Sequence, residues 1–225
     1  MQRPRIKTPI GDTSRGADRA DTAPLCDHHA AMQHPFDPGY WTEAELTAFG
    51  FAKVGTTVRV AKNCTIVGLP NIALGDHVRI DGPSVLTATG GYIRLGDYIH
   101  IGGFSFLAGG GGIEMADFSG LSQRVSIYSA SDDYSGEALT NPTVPREYLN
   151  TRIAPVRLGR HVIIGSGAVI LPGCEIGDGA AIGALTLVTK SLAPWGVYAG
   201  APIRRLRSRS RSLLAQERAL RQTSS

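Results

Sequence analysis

The chain has 225 residues, 28 of them glycine, and a formal net charge of +4. That length suits one domain with appendages. Seven arginines and one glutamate fall within residues 203–225, so the body is slightly acidic and the basic pI is no nucleic-acid footprint. No run of about 18 apolar residues marks a membrane span. The N-terminus lacks the apolar core of a secretory signal. Three scattered cysteines, without metal-site spacing, argue for reduced thiols and a cytoplasmic setting.

Residues 1–39 are polar and aperiodic and read as a loose arm containing Cys26, His28, His29 and His34. A mobile histidine-bearing segment fits them better than a metal site. Residues 40–53 are expected to hold a capping helix. Thr42 and Glu45 have capping-box spacing, Gly50 suits the stop, and Leu46 and Phe49 would face the first coil.

A repeat occupies residues 54–203. Its aliphatic positions run through Val54, Val60 and Ile66, then Leu74, Ile80 and Leu86, then Leu95, Ile101 and Leu107, then Met115, Leu121 and Ile127. The breaks, at 71–73 and 87–92 among others, fall between hexads, where corners belong. From Leu158 the period of six never slips: Ile164, Ile170, Ile176, Ile182 and Val188 follow. A compact residue sits four places after each of the first five: Val162, Ala168, Cys174, Ala180 and Thr186. Six matches neither a helix nor a plain strand; it is the period of a β-helix with one strand and one corner per hexad. Residues 129–155 break the pattern, and an excursion of that length from a solenoid points to function. Residues 204–225 are predicted to form a basic helix or tail with an apolar stripe of Leu206, Leu213, Leu214 and Leu220.

The hexads, followed by Val188-Thr189-Lys190, Pro194-Trp195-Gly196-Val197-Tyr198-Ala199-Gly200-Ala201-Pro202 and Arg204-Arg205, resemble the hexapeptide-repeat acyltransferases. The resemblance covers roughly residues 54–207. It is closest to a branch that acetylates sugars for cell-surface polysaccharide and lipopolysaccharide. It implies an all-β, left-handed parallel β-helix, a homotrimer, acetyl-CoA as acyl donor, and a sugar or nucleotide-sugar acceptor. The implied CoA contacts are Gly183, Ala184, Thr189, Lys190, Gly200, Ala201 and Pro202. Lys190, Arg204 and Arg205 would meet the phosphates.

Many relatives carry a histidine before or within the projecting loop; here Tyr128–Tyr134 has none. Three candidates for the base remain: His100, the Asp132-Asp133 pair, and His161. The expected reaction is direct transfer without an acyl-enzyme, because Cys64 and Cys174 sit at inward positions. His100, paired with Asp132 or Asp133, would take the proton. Backbone N–H groups of Gly102-Gly103 or Gly109–Gly112 would hold the oxyanion. Tyr134, Tyr148 and Trp195 are candidates to stack on a sugar or base. An amine acceptor needs less base assistance than a hydroxyl. Two other readings stay open. One is a non-catalytic trimeric scaffold. The other is a metal-dependent β-helix enzyme, for which His77, His100 and His161 are too scattered to supply the signature.

Overall fold

The computed structural model describes residues 36–223. The cysteine and histidines of the expected arm lie outside the described residues. From Lys53 onward the chain winds through stacked coils with three flat faces. The first face stacks Lys53–Val54, Ile72–Leu74, Ile93–Leu95, Ile113–Met115, Val156–Leu158 and Glu175–Ile176 in parallel. The second stacks Arg59–Val60, Arg79–Ile80, His100–Ile101, Gly120–Leu121, Ile163–Ile164, Ala181–Ile182 and Gly196–Ala199. The third stacks Thr65–Val67, Val85–Thr87, Phe106–Ala108, Ser126–Tyr128, Val169–Ile170 and Leu187–Val188. Six coils are complete, and the strand at Gly196 begins a seventh.

The two apolar positions of each hexad explain the core. Leu158, Ile164, Ile170, Ile176 and Val188 are buried, and so are Val162, Ala168, Cys174, Ala180 and Thr186 beside them. A coil that turns three times within about 18 residues has room for one large and one small inward side chain per hexad. Cys64 and Cys174 are free thiols, and burial raises the pKa of both, which fits fillers and not nucleophiles.

The N-terminal end is plugged by a helix shorter than expected. Helix α1 spans Glu43–Ala48, with Thr42 and Glu45 completing a capping box. Leu46 is buried against the first coil. Phe49 is not: it is 42% exposed and stands edge-on to Trp41, ring centres 5.0 Å apart. The other end also departs from expectation. Arg204–Ser208 is no helix but an antiparallel strand laid on Gly196–Ala199, covering the last open edge of the second face. Helix α2 spans only Leu213–Thr223 and buries none of its own residues fully.

The corner between the first and second faces carries two ladders. Thr57, His77, Tyr98, Phe118, His161 and Trp195 all adopt positive φ between +55° and +59°, rare for side-chain-bearing residues. Their rings compensate by stacking at strand spacing: His77 on Tyr98 at 4.5 Å, Tyr98 on Phe118 at 4.7 Å, Phe118 on His161 at 5.1 Å. Beside them runs a ladder of carboxylates. Asp76 accepts from the Thr56 N–H at 2.7 Å, Asp97 from Asp76 at 2.9 Å and Asp117 from Asp97 at 3.0 Å. The fifth coil places Arg160 on this ladder, and its N–H in turn meets Asp178 at 2.9 Å.

The 129–155 excursion leaves the corner between the third and first faces. Its base is closed by an antiparallel pairing of Ala130–Ser131 with Arg152–Ile153. The chain therefore returns where it left, and Met115 still stacks on Leu158 without a register change.

Candidate active site

His100 projects from the second face. In register it lies between Arg79 of the preceding coil and Gly120 of the next. Asp81 shares its side of the face, because inward Ile80 separates it from Arg79. The Asp81 carboxylate gathers three donors. His100 Nε2 is 2.8 Å from Oδ2, while Arg79 Nε at 2.7 Å and the Tyr40 hydroxyl at 2.8 Å both meet Oδ1. Burial alone would raise the Asp81 pKa, but the hydrogen bonds from His100, Arg79 and Tyr40 outweigh it and hold the carboxyl below its ordinary value. Burial first, then Asp81, pushes the Tyr40 phenol up.

Asp81 was not among the residues read from the sequence, although a signal existed. Ile80 and Ile101 occupy the same hexad position one coil apart, so their flanking residues had to meet. The expected partners of His100, Asp132 and Asp133, are elsewhere. They open the loop at the corner between the third and first faces, and within the chain His100 pairs with Asp81. Asp133 is engaged locally. Its carboxylate accepts from the N–H of Ser135 at 2.9 Å and from those of Glu137 and Ala138 at 3.0 Å. These bonds, that from Ser135 foremost, lower its pKa. It caps a turn. Asp132 is exposed and accepts from the Asn141 N–H at 3.2 Å.

A groove of about 370 Å³ runs from His100 over Gly120, Ser122 and Gln123 toward the start of α2 at Leu213. His161 borders it but is only 8% exposed. Its ring lies on Phe118, and its Nε2 is 2.7 Å from Glu217 of α2. His161 is an anchor for the helix, which corrects its candidacy as base. Trp195 is also structural. It leaves no room for a side chain at Gly179 and packs under the Arg211 guanidinium. Tyr134 and Tyr148, by contrast, stand exposed on the loop, Tyr134 at 94%. Four of the expected oxyanion donors are engaged in the fold. Gly102, Gly109, Gly111 and Gly112 give their N–H groups to Leu121, Thr87, Ser129 and Gly109 respectively. Gly103 and Gly110 remain as candidates.

The residues expected at CoA gather at the C-terminal end of the coils. The Gly183 N–H donates to Tyr198 at 2.8 Å, and the Gly200 N–H to Thr186 Oγ1 at 3.2 Å. This sets Gly183, Ala184 and the Gly200-Ala201-Pro202 turn side by side, with Ala184 exposed and Leu185 79% exposed. Thr189 and Lys190, both exposed, lie at the other end of the strand Leu187–Val188. Arg204 and Arg205 extend along the terminal strand, where Arg205 donates to Ser208 at 3.0 Å. Exposed main chain flanked by cations fits an extended, phosphate-bearing ligand. Among the described residues no group of three or more His, Cys, Asp or Glu is arranged to hold a metal ion.

Residues 155–190 match the bacterial transferase hexapeptide family, six repeats. The dTDP-4-amino-4,6-dideoxy-D-glucose acyltransferase of Escherichia coli is 39% identical over 178 residues, 79% of this chain and 93% of that protein. The N-acyltransferase AntD of Bacillus cereus, solved with dTDP and 3-hydroxybutyryl-CoA, is 38% identical with a TM-score of 0.80. The match covers 83% of this chain and 99% of that one. A substituted form of AntD, solved with dTDP-4-amino-4,6-dideoxyglucose and coenzyme A, matches at 37% identity. Unbroken hexads, a parallel coil of about seven turns and a near full-length likeness agree: the chain belongs to the hexapeptide-repeat transferases and is an acyltransferase.

Proposed function

We propose that this acyltransferase moves an acyl group, acetyl foremost, from its CoA thioester to the amino group of a dTDP-linked 4-amino-4,6-dideoxy sugar. The product would be an amide-bearing precursor of cell-surface polysaccharide. The observation that carries this reading is the likeness, over about four fifths of the chain, to a protein named as an acyltransferase of that sugar nucleotide and to an N-acyltransferase solved with dTDP and an acyl-CoA. The amine nitrogen attacks the thioester carbonyl, a C–N bond forms, and the C–S bond breaks. His100 takes the proton that nitrogen sheds, and the departing CoA sulfur recovers it. An amine is already a good nucleophile, so one histidine suffices as base.

Ser122 and Asp132 join the acceptor site in this reading. AntD has been solved with substitutions at a serine and at an aspartate ten residues further on. Ser122 and Asp132 are the serine–aspartate pair with that spacing in this sequence. Ser122 lines the groove beside His100, while Asp132 opens the loop at a distant corner. Two copies are needed to bring them together. The outward side of the third face is apolar, with Val67 and Leu187 exposed beside Phe106 and Val169. The outward side of the second face is small at Gly120, Ser122 and Ala181. Packing the third face of one copy on the second face of the next is heterologous, and closes as a homotrimer. The free thiols of Cys64 and Cys174 fit a cytoplasmic setting. No described helix is long and apolar enough to cross a membrane.

The test is thiol release from acetyl-CoA with dTDP-4-amino-4,6-dideoxyglucose as acceptor, beside the 4-hydroxy sugar nucleotide. Turnover with the amine and formation of its amide are expected. Turnover with the hydroxyl sugar alone, or with neither, overturns the reading.

A further inference from the structure

The groove contains a histidine whose two ring nitrogens are not equivalent, and the asymmetry comes from below it. His100 sits above a carboxylate that belongs to the previous coil. Each Asp81 oxygen has its own donors: Oδ2 faces His100 Nε2 at 2.8 Å, and Oδ1 receives Arg79 Nε at 2.7 Å and the Tyr40 hydroxyl at 2.8 Å. The network joins three parts of the chain. Tyr40 precedes α1, Arg79 and Asp81 flank Ile80 of the second coil, and His100 lies on the third.

We propose that Asp81 is a positioning residue for acyl transfer: it fixes the proton of neutral His100 on Nε2 and leaves Nδ1 as the atom that accepts the acceptor's proton. This rests on the reading of His100 as the base. An ionised carboxylate only accepts hydrogen bonds, so the nitrogen facing it must carry hydrogen. The three donors keep Asp81 ionised. Nδ1 is thereby the nitrogen without a proton. When Nδ1 takes a proton, the resulting imidazolium lies beside the Asp81 carboxylate, which it shares with the Arg79 guanidinium. Tyr40 contributes geometry without charge and ties the end of the N-terminal segment to the site.

The separation of donors between the two oxygens makes one substitution unusually informative. In Asp81→Asn the arginine and the phenol still donate toward the Oδ1 position. Arginine has no acceptor, so the amide oxygen must face it. The amide nitrogen then occupies the Oδ2 position and donates to Nε2. Nε2 must present its lone pair, and the proton moves to Nδ1. The fold and the ring position survive while the tautomer inverts.

The experiment combines ring ¹⁵N NMR of His100 with steady-state kinetics on the full chain, using acetyl-CoA and the dTDP-amino sugar. The wild-type neutral ring should carry its proton on Nε2, and Asp81→Asn should carry it on Nδ1. The variant's kcat should fall by on the order of 10²–10⁴, as for loss of a correctly presented base, with both KM values unchanged. Rising KM values at constant kcat would mark a purely structural role and overturn the proposal. So would a wild-type ring protonated on Nδ1, a measurement that needs no variant. His100→Ala separates the two layers. If it keeps full turnover, the base reading fails and the positioning role with it. If it loses turnover while Asp81→Asn keeps both its kcat and its Nε2 proton, only the role of Asp81 fails.

Discussion

Asp132 and Asp133 are adjacent and chemically identical, and their surroundings divide them. Asp133 holds the turn that starts the loop through the N–H groups of Ser135, Glu137 and Ala138. Asp132 accepts one long bond from Asn141 and is otherwise exposed. Asp133→Ala should therefore loosen the loop, read as faster proteolytic cleavage within residues 134–151. Asp132→Ala should leave cleavage unchanged and lower kcat by on the order of 10²–10³, if the residue touches the acceptor. Equal cleavage in both variants would refute the division. At this scale the sequence was only partly legible. It exposed His100 as a polar residue flanking an inward isoleucine. Asp81 was open to the same reading, flanking Ile80 one coil before Ile101, but the period alone does not say which outward side chains bond from coil to coil. Nor did it show which aspartate would be used up by a local turn, since the pattern Asp-x-Ser suits a cap and a site equally well.

The terminal elements show how an edge is closed by charge rather than by apolar packing. Helix α2 is held through Glu217, which bonds Arg160, His161 and Arg221, while Arg221 also reaches Asp117 and the Phe118 ring. Burial would raise the Glu217 pKa, but the bonds from Arg221 and His161 and the charge of Arg160 hold it below the ordinary carboxylate value. A depressed carboxylate stabilises above its unfolded pKa, about 4.3. That contribution is lost as pH falls through the folded value. Amide protection in Leu213–Thr223, measured against the intrinsic exchange rate at each pH, should accordingly be high at neutral pH and fall on acidification below about pH 4, before the coils open. Glu217→Gln should show the low protection already at pH 7, and high protection there would contradict the anchor. The stripe of leucines announced this helix, but not the strand before it. The signal lay in the alternation of Arg205, Arg207, Arg209 and Arg211 with smaller residues, which is the period of a strand. An apolar stripe is easier to read than a polar strand whose partner is an open edge.

For the whole molecule, the period of six set the architecture before any coordinate was needed. Each hexad contributes one inward aliphatic side chain, and the coils followed with their register intact. What periodicity could not give was the path of the 129–155 loop, which leaves the coils at a corner away from the groove. A solenoid is stabilised by neighbour-to-neighbour contacts. Ile127 is fully buried in the fourth coil, and Ile127→Ala should lower stability by about 2–5 kcal/mol in denaturant unfolding. Exchange should rise first in the third to fifth coils. Uniform acceleration from Val54 to Ser208 would instead show a single cooperative block.

The carboxylate ladder at the first corner gives the molecule a means of counting. Asp76, Asp97 and Asp117 are followed by Arg160 and then Asp178. The rung with the opposite sign is where Glu217 docks. Helix α2 thus recognises a particular coil by its charge, not by its distance along the chain. A coil removed between Leu74 and Leu95 would shorten the rod by about 4.8 Å and leave the helix in its slot. A coil added after Arg160 would strand the helix one rung from its address. The ladder works as a graduated scale with a single marked division, and that mark sets where the groove ends.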